Sequence, residues 1–391
     1  MITISPKYLF LAIWILPLFG AQIFNSHLIN NISVTTVAMV VGHVFLVFLS
    51  SSLFGNLIKE KIQFGDSCFF KTVNIIVFQR RTDQLFTTWL FLYFVVIIAS
   101  NGLPIAWLLI GNGKTYMDFG VMSLSGFCNM LRACCISALY LLNLGGTCLQ
   151  SRRRNWYKIG FLITSAFVLE MARGNGIVML LHAVGIHFLL KRFTVYRVAQ
   201  VVLVLIVFLF TFGYFQFFRY GYDDAMITQY LNSVGFGEVD GVLKYFVPSI
   251  TYICLPIVNT DLNIRVAPDI KFDPFYSLTL MLPTFLRNLL VGSGDYGELV
   301  NEANNVSSYY IPFIRDFGVI GCGIFVSPLL VFSMYVYARA RSGSPYYFLI
   351  WPPIFMSLML SFFSLFFLSL VVLLYPLAVL WLLRGAVRQK S

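Results

Sequence analysis

Arginines are the residues of this chain best suited to chemistry, because several of them lie within or beside apolar segments. Arg132, Arg173, Arg219, Arg287 and Arg315 are all placed in this way. Charged side chains in such segments are energetically costly, and they usually line a cavity or a substrate path. A guanidinium group stays protonated, and its planar fork binds two phosphate oxygens at once. We therefore predict that Arg173, Arg219, Arg287 and Arg315 bind a diphosphate group.

Arg173 also has a structural interpretation. It follows Glu170 by three residues, so the two side chains could neutralise each other on one helix face. In the substrate-binding interpretation, the neighbouring Gly174 and Gly176 keep the backbone open. The guanidinium group of Arg173 would then reach a bulky anion.

Four carboxylates are candidates for a general base. Asp295 and Glu298 belong to the glycine-rich run 292–298, Glu302 follows it, and Asp316 lies further along the chain. Such a base accepts the proton of a hydroxyl group as that group attacks. The run is predicted to be either a mobile gate that presents the base or a solvated loop.

Three further side chains, Asn304, Tyr309 and Tyr310, are predicted to contact a glycan. A tyrosine offers a flat apolar face to a sugar ring and a hydroxyl for hydrogen bonding. Anchoring at the bilayer interface explains tyrosines in this region equally well. The four histidines form no metal-ligand motif, so we expect chemistry without a metal ion or another cofactor.

The elements that must position these residues are membrane helices. The chain is 59% hydrophobic and 11% charged, with a mean hydropathy of +0.82. A soluble domain carries about 25% charged residues, and a helix needs about 20 apolar residues to cross the hydrocarbon core. The sequence therefore predicts an all-α polytopic membrane protein of about ten spans, at 8–26, 33–57, 83–101, 117–147, 156–172, 174–190, 198–218, 309–337, 345–364 and 366–383.

The distribution of basic residues predicts the orientation of these spans. Short basic loops stay cytoplasmic during insertion, which places the run 152–154 and both termini in the cytoplasm. The chain then divides into seven spans in 1–218, a long outer loop in 219–308 and three spans in 309–391. Topology and anionic lipid head groups account for the net charge of +11. No nucleic-acid binding is expected.

The outer loop is predicted to contain helices of its own. The runs 241–260 and 275–290 are apolar, contain prolines and are bounded by polar residues. Runs of this kind favour short helices that re-enter the bundle or lie at the membrane interface. The alternative is that one of them forms an eleventh span.

Two local stretches resemble a known protein family. Arg173-Gly174, at the outer end of a mid-chain span, is similar to an Arg-Gly signature, and the run 304–321 contains an Asp-Phe-Gly-x-x-Gly core that begins at Asp316. Taken with the length, the predicted spans and the late outer loop, these stretches resemble the Wzy-type O-antigen polymerases, also called oligosaccharide repeat-unit polymerases.

The resemblance implies a fold like the GT-C membrane glycosyltransferases and a metal-independent enzyme of the bacterial inner membrane. The implied substrate is an oligosaccharide linked to undecaprenyl diphosphate. The growing glycan would pass to the non-reducing sugar of a second lipid-linked repeat at the periplasmic face. Arginines would bind the diphosphate, and a carboxylate would serve the acceptor hydroxyl. Membrane lipids and a chain-length regulator protein are the implied partners.

Three other activities stay open. An O-antigen ligase uses a similar donor, but the resemblance would place a histidine in its large loop, and 219–308 contains none. A flippase for lipid-linked oligosaccharides would have pseudo-symmetric halves, and no internal repeat is visible. A membrane acyltransferase would use a histidine at mid-membrane depth, for which His43 and His182 are the candidates.

Overall fold

The computed structural model describes most of the chain, and the regular secondary structure in that part is helical. The described residues are 5–23, 32–57, 68–111, 114, 118–120, 122–145, 148–190, 223–237, 239, 241–282, 284–291, 297–299 and 307–387, with ten further positions between 203 and 217. Within these ranges no strand forms, and an isolated antiparallel bridge joins Val73 to Val387. The predicted all-α class is confirmed.

The helices alternate with short connections along the described chain. Before residue 191 they are α1 (Pro6–Ile23), α2 (Val34–Leu57), α3 (Cys68–Thr72), α4 (Ile75–Ala99), α5 (Pro104–Leu109), α6 (Met122–Leu144), α7 (Leu149–Thr164) and α8 (Arg173–Leu190). Described residues between 203 and 217 are also helical. The later helices are α9 (Asp224–Ser233), α10 (Val247–Val266), α11 (Phe275–Thr279), α12 (Thr284–Val291), α13 (Ile311–Arg341), α14 (Pro345–Met359) and α15 (Leu370–Leu383). A π-helical turn, Ser165–Leu169, continues α7, and a 3-10 turn, Gly241–Phe246, leads into α10.

Several of these helices are long and apolar enough to cross a membrane. In the described part there are five, at Val34–Gly55, Ile75–Leu109, Leu124–Leu144, Gly241–Val266 and Ile311–Arg341. Shorter apolar helices cover Pro6–Ala21, Gly174–Leu190 and Leu370–Leu383. By the length and composition of its helices, the chain is an all-α membrane protein.

The two apolar runs of the outer loop form different structures. The first is one continuous helical segment, Gly241–Val266, which is long enough to span. The second is broken into α11 and α12, of five and eight residues. About 20 residues are needed to cross the hydrocarbon core. Of the two runs, only the first is therefore long enough to be an eleventh span.

Helix α6 is the centre of the bundle. Its residues 131–139 are all buried, and α4, α7, α8 and α15 pack around it. A helix that its neighbours cover this fully exposes little surface to lipid or water. Its buried polar side chains include Arg132, Ser137 and Asn143.

Helix α13 is interrupted near its N-terminal end. Gly318 has φ 72° and ψ −174°, a conformation open essentially to glycine alone. The outer-loop segment 268–273 passes the interruption and bonds the freed backbone groups: Lys271 N to Phe317 O (3.1 Å), Asp273 N to Asp316 O (2.8 Å), Val319 N to Pro268 O (3.2 Å) and Ile320 N to Asp269 O (3.0 Å). A Cβ atom at Gly318 would lie 2.5 Å from Pro268 O. The first glycine of the Asp-Phe-Gly-x-x-Gly core therefore lets loop and helix approach closely.

Candidate functional site

The most unusual chemical feature of the bundle is a buried ion pair between α6 and the end of α7. Arg132 donates through Nη2 to Glu170 Oε1, and the two side chains are 1% and 5% exposed. The guanidinium carbon lies 5.3 Å from the ring centre of Trp89 and 5.2 Å from that of Tyr93. In the described part of the chain, Nε and Nη1 of Arg132 have no hydrogen-bond partner. Because buried N–H groups are nearly always bonded, two donors without a partner are unusual for a structural ion pair.

An irregular turn places Glu170 in this position. After the π-helical turn, Glu170 N donates to Ser165 O at 3.0 Å and Ala172 N donates to Ala166 O at 3.1 Å. Met171 between them has φ 53°, which is uncommon for a residue with a side chain. Helix α8 begins immediately afterwards, at Arg173. Single π-helical turns occur frequently at functional sites.

The partners of Glu170 bear on the structural interpretation of Arg173. Its Oε1 binds Arg132, and its Oε2 accepts from Asn175 Nδ2 at 3.4 Å. Glu170 thus joins α6 to the first turn of α8. Its spacing of three residues from Arg173 suggested a partner on its own helix and did not indicate this link. The side chain of Arg173 lies outside the described part, so its role stays a prediction. Arg132 and Glu170 are 38 positions apart, and no helical periodicity connects them in the sequence.

Arg315 and Asp316 lie on the short N-terminal portion of α13, before Gly318. Asp316 is buried, and its Oδ2 accepts from Ser277 N at 2.5 Å. The carboxylate therefore stabilises the first turn of α11, where a negative charge is favourable. The guanidinium carbon of Arg315 lies 4.6 Å from the ring centre of Tyr276, which is also on α11.

Glu298 is fixed through its backbone to α10. Asn263 Nδ2 donates to Glu298 O at 2.8 Å, and Glu298 N donates to Asn263 Oδ1 at 3.0 Å. The residue itself is exposed. Gly297, with φ 74°, would place a Cβ atom 2.5 Å from Asn263 Oδ1. The end of the glycine-rich run is consequently held in place, while the carboxylate of Glu298 faces outward.

The two predicted glycan-binding tyrosines are buried in the bundle. Tyr309 and Tyr310 are 0% exposed, and their ring centres are 4.3 Å apart. Trp14 packs against both rings, at 5.5 and 5.2 Å. The hydroxyl of Tyr310 shares a hydrogen bond of 2.9 Å with Nδ1 of His43. These contacts give both tyrosines a packing role, and glycan contact stays a prediction.

A carboxylate that the sequence analysis did not select ties the outer loop to α2. Asp261, on α10, accepts at Oδ1 from Ser33 N (2.8 Å), Ser33 Oγ (2.5 Å) and Thr36 Oγ1 (2.6 Å). Its Oδ2 accepts from Arg265 Nε at 2.8 Å. Next to it, Thr260 Oγ1 and Ser308 Oγ are 2.5 Å apart. Asp261 is one of several acids in a polar loop, so its sequence context gave no signal of this role.

The helices that carry the predicted arginines form one contiguous group. Helix α12, with the half-buried Arg287, packs against α6, with Arg132. Helix α11 contacts both α12 and α13, which carries Arg315 and Asp316. Four predicted site residues, Arg219, Asp295, Glu302 and Asn304, lie outside the described residues.

Of the arginines named in the sequence analysis, Arg132, Arg287 and Arg315 have described side chains. The described residues contain no group of three or more His, Cys, Asp or Glu side chains arranged to hold a metal ion. Comparison with protein-family models, with curated proteins and with solved structures found no match to this chain. A functional assignment therefore rests on the residues and the geometry described above.

Proposed function

We propose that this protein is a membrane glycosyltransferase that polymerises oligosaccharide repeat units carried on undecaprenyl diphosphate at the periplasmic face of the bacterial inner membrane. The observation that carries the proposal is the buried guanidinium group of Arg132, which has two unbonded N–H donors in the described structure. It lies beside the turn that begins α8 at Arg173, the residue of the Arg-Gly stretch. A diphosphate is the anion that such a set of arginines binds best.

The proposed architecture has about ten spans and resembles the GT-C fold. Helix α10 is proposed to lie at the periplasmic side with its first turn inside the bundle. Its contacts with Phe363 and Ser33 fall at the predicted outer ends of spans, whereas its contact with Leu209 lies in the middle of the span predicted at 198–218. Near its start, Ser249 Oγ donates to Leu209 O at 2.6 Å, and near its end Asp261 binds Ser33. Between these, Tyr252 stacks at 6.3 Å on Phe363. A helix that crossed the bilayer would have its two ends at opposite faces.

The proposed reaction needs positive charge at the leaving group. The hydroxyl oxygen of the acceptor sugar forms a bond to the anomeric carbon of the donor, and the bond from that carbon to the diphosphate oxygen breaks. The acceptor proton passes to a carboxylate, and undecaprenyl diphosphate leaves with the electron pair. Arg132, Arg173, Arg287 and Arg315 are proposed to stabilise the charge that develops on the diphosphate, since fixed donors act most strongly where charge appears.

Among the candidate bases in the described part, the geometry favours Glu298 over Asp316. Asp316 accepts from Ser277 N and is 2% exposed, so its carboxylate has a structural task. Glu298 has a fixed backbone and an exposed side chain. A general base must reach the proton of its substrate. Asp295 and Glu302 stay candidates beside it.

The proposal is tested with purified protein and one synthetic lipid-linked repeat unit. The wild type is expected to produce a ladder of glycans on a gel. Arg173→Ala is expected to lower the rate by about 100-fold or more, because one donor to a developing charge contributes on that order. Arg173→Lys keeps the charge without the bidentate fork, so its rate is expected to lie between those of the wild type and Arg173→Ala.

Arg153→Ala is the matched control, since Arg153 is an exposed residue of α7 in a predicted cytoplasmic run. It is expected to produce normal ladders. Ladders of normal rate from Arg173→Ala would refute the proposed site. A wild-type protein that forms no ladder, yet attaches a glycan to a lipid-A-like acceptor or moves the lipid between leaflets, would refute the proposed reaction in favour of a ligase or a flippase.

A further inference from the structure

A surface groove lies between α4 and the end of α15, and none of the arginines of the proposed site lines it. Its volume is about 970 Å³, and its walls include Arg80, Arg81, Gln84 and Phe91 from α4 and Trp381 from α15. In the predicted topology this end of α4 is cytoplasmic. The groove therefore faces the inner leaflet.

The charge of the groove is positive, because its one carboxylate is already paired. Asp83 accepts from Lys158 Nζ at 2.6 Å and from Arg154 Nη2 at 3.1 Å. Neither Arg80 nor Arg81 makes an ion pair with an acid in the described part of the chain. Two guanidinium groups are thus left to interact with a ligand.

Arg81 is held in position by an aromatic ring. Its guanidinium carbon lies 5.0 Å from the ring centre of Trp381. Tryptophan is enriched where membrane proteins meet the head-group layer, and stacking leaves the N–H groups at the edge of the guanidinium plane free to bond an anion. Arg81 is therefore presented at head-group depth in a fixed orientation.

Beyond the exposed Ile76 at its start, the outward surface of α4 changes from polar to apolar along the groove. Gln84 and Thr88 are exposed, and one turn further Phe91 and Phe94 are exposed as well. From Arg80 to Phe91 the helix rises about 16 Å. A lipid-facing surface is normally apolar throughout, because a polar group in hydrocarbon needs a partner. The gradient fits a ligand with an anionic head and an apolar tail.

We propose that this groove binds one anionic phospholipid of the cytoplasmic leaflet. Arg80 and Arg81 bind the phosphodiester, Gln84 bonds the glycerol ester groups one turn deeper, and an acyl chain lies along Phe91. Basic pockets between membrane helices on the cytoplasmic side have the chemistry for such head groups. The inference is independent of the proposed glycosyltransferase activity, since it uses none of the same residues.

Native mass spectrometry of the detergent-purified protein tests this inference. The protein is incubated separately with phosphatidylglycerol, with phosphatidylcholine and with inorganic phosphate. The wild type is expected to retain one phosphatidylglycerol in preference to phosphatidylcholine. The double variant Arg80→Gln/Arg81→Gln is expected to lose that preference by roughly tenfold or more, because each arginine near an anionic head group contributes about a factor of five.

Arg152→Gln/Arg153→Gln is the matched control, because it removes the same charge from exposed residues of α7 outside the groove. It is expected to keep the preference of the wild type. Equal losses in both double variants would overturn the inference, as would equal retention of the two lipids by the wild type. Displacement of the lipid by inorganic phosphate would identify a free-phosphate site instead. Arg80→Gln alone replaces the double variant if the latter does not fold.

Discussion

At the scale of single residues, Arg132 combines two roles that a buried arginine can have, one structural and one in ligand binding. Its ion pair with Glu170 joins α6 to the turn before α8, which is a structural role. Its Nε and Nη1 groups lack partners in the described part, which a purely structural role does not require. A buried pair contributes little net stability compared with apolar residues of the same size, whereas removing one partner is costly. The two roles therefore respond differently to single and double substitutions.

Arg132→Met is expected to lower the free energy of unfolding by about 3–5 kcal/mol, because Glu170 is left as an unpaired buried carboxylate. The double variant Arg132→Met/Glu170→Gln is expected to recover most of this loss, since no charge stays buried. It is still expected to form no glycan ladder, because the donors to the diphosphate are gone. Thermal unfolding in detergent and the ladder assay measure the two effects. Recovery of both in the double variant would leave Arg132 with a structural role alone.

The two candidate bases in the described part, Asp316 and Glu298, also divide into a structural and a catalytic role. Asp316→Asn keeps an oxygen that accepts from Ser277 N, so polymerisation is expected to stay within about tenfold of the wild type, far from the loss that a missing base causes. Glu298→Gln removes the proposed base and is expected to slow the reaction by about 100-fold or more. Initial rates of ladder formation measure both. The reverse order of effects would move the base to Asp316.

At the scale of elements, several of the predicted spans coincide with helices, whereas the connections between helices were not predictable. Helices α2, α6 and α13 fall on predicted spans, because apolar runs of sufficient length are a local property of the sequence. The interruption of α13 at Gly318 depends on backbone groups of 268–273, some 50 residues earlier in the chain. The pairing of Arg132 with Glu170 is similarly distant. Such contacts have no periodicity that a single sequence can reveal.

The interruption of α13 gives a prediction for its glycine. Gly318→Ala is expected to destabilise the protein by about 1–3 kcal/mol, because a side chain at this φ and ψ is strained and its Cβ atom would meet Pro268 O at 2.5 Å. Gly323→Ala, five residues along the same helix, meets no atom within 4 Å and is the control. Thermal unfolding of the two variants in detergent measures the difference. Equal stability of both would mean that segment 268–273 does not need the close approach.

At the scale of the whole molecule, the orientation of α10 decides how the outer loop relates to the bundle. Val242 and Val266, at the two ends of its helical segment, are each 64% exposed. If the helix lies at the periplasmic interface, both ends face the same compartment. If it crosses the bilayer, they face opposite compartments. The charge pattern places the run 152–154 in the cytoplasm in either case.

Cysteine labelling of spheroplasts distinguishes these arrangements. In a background with the exposed Cys148 replaced by serine, Val242→Cys and Val266→Cys are both expected to react with a membrane-impermeant reagent from outside. Arg153→Cys is expected to react only after permeabilisation. Labelling of one end of α10 alone would make Gly241–Val266 an additional span and would require the topology to be redrawn.

The break at Gly318 also separates the first residues of α13, 311–317, from the rest of the helix. At the break, backbone groups of Asp316, Phe317, Val319 and Ile320 bond to residues 268–273, so Arg315 and Asp316 are tied to that segment. A helix without this discontinuity would transmit any tilt of its tip to the whole shaft. We therefore expect a displacement of residues 268–273 to reorient Arg315 and Asp316 more than the part of α13 that follows Gly318.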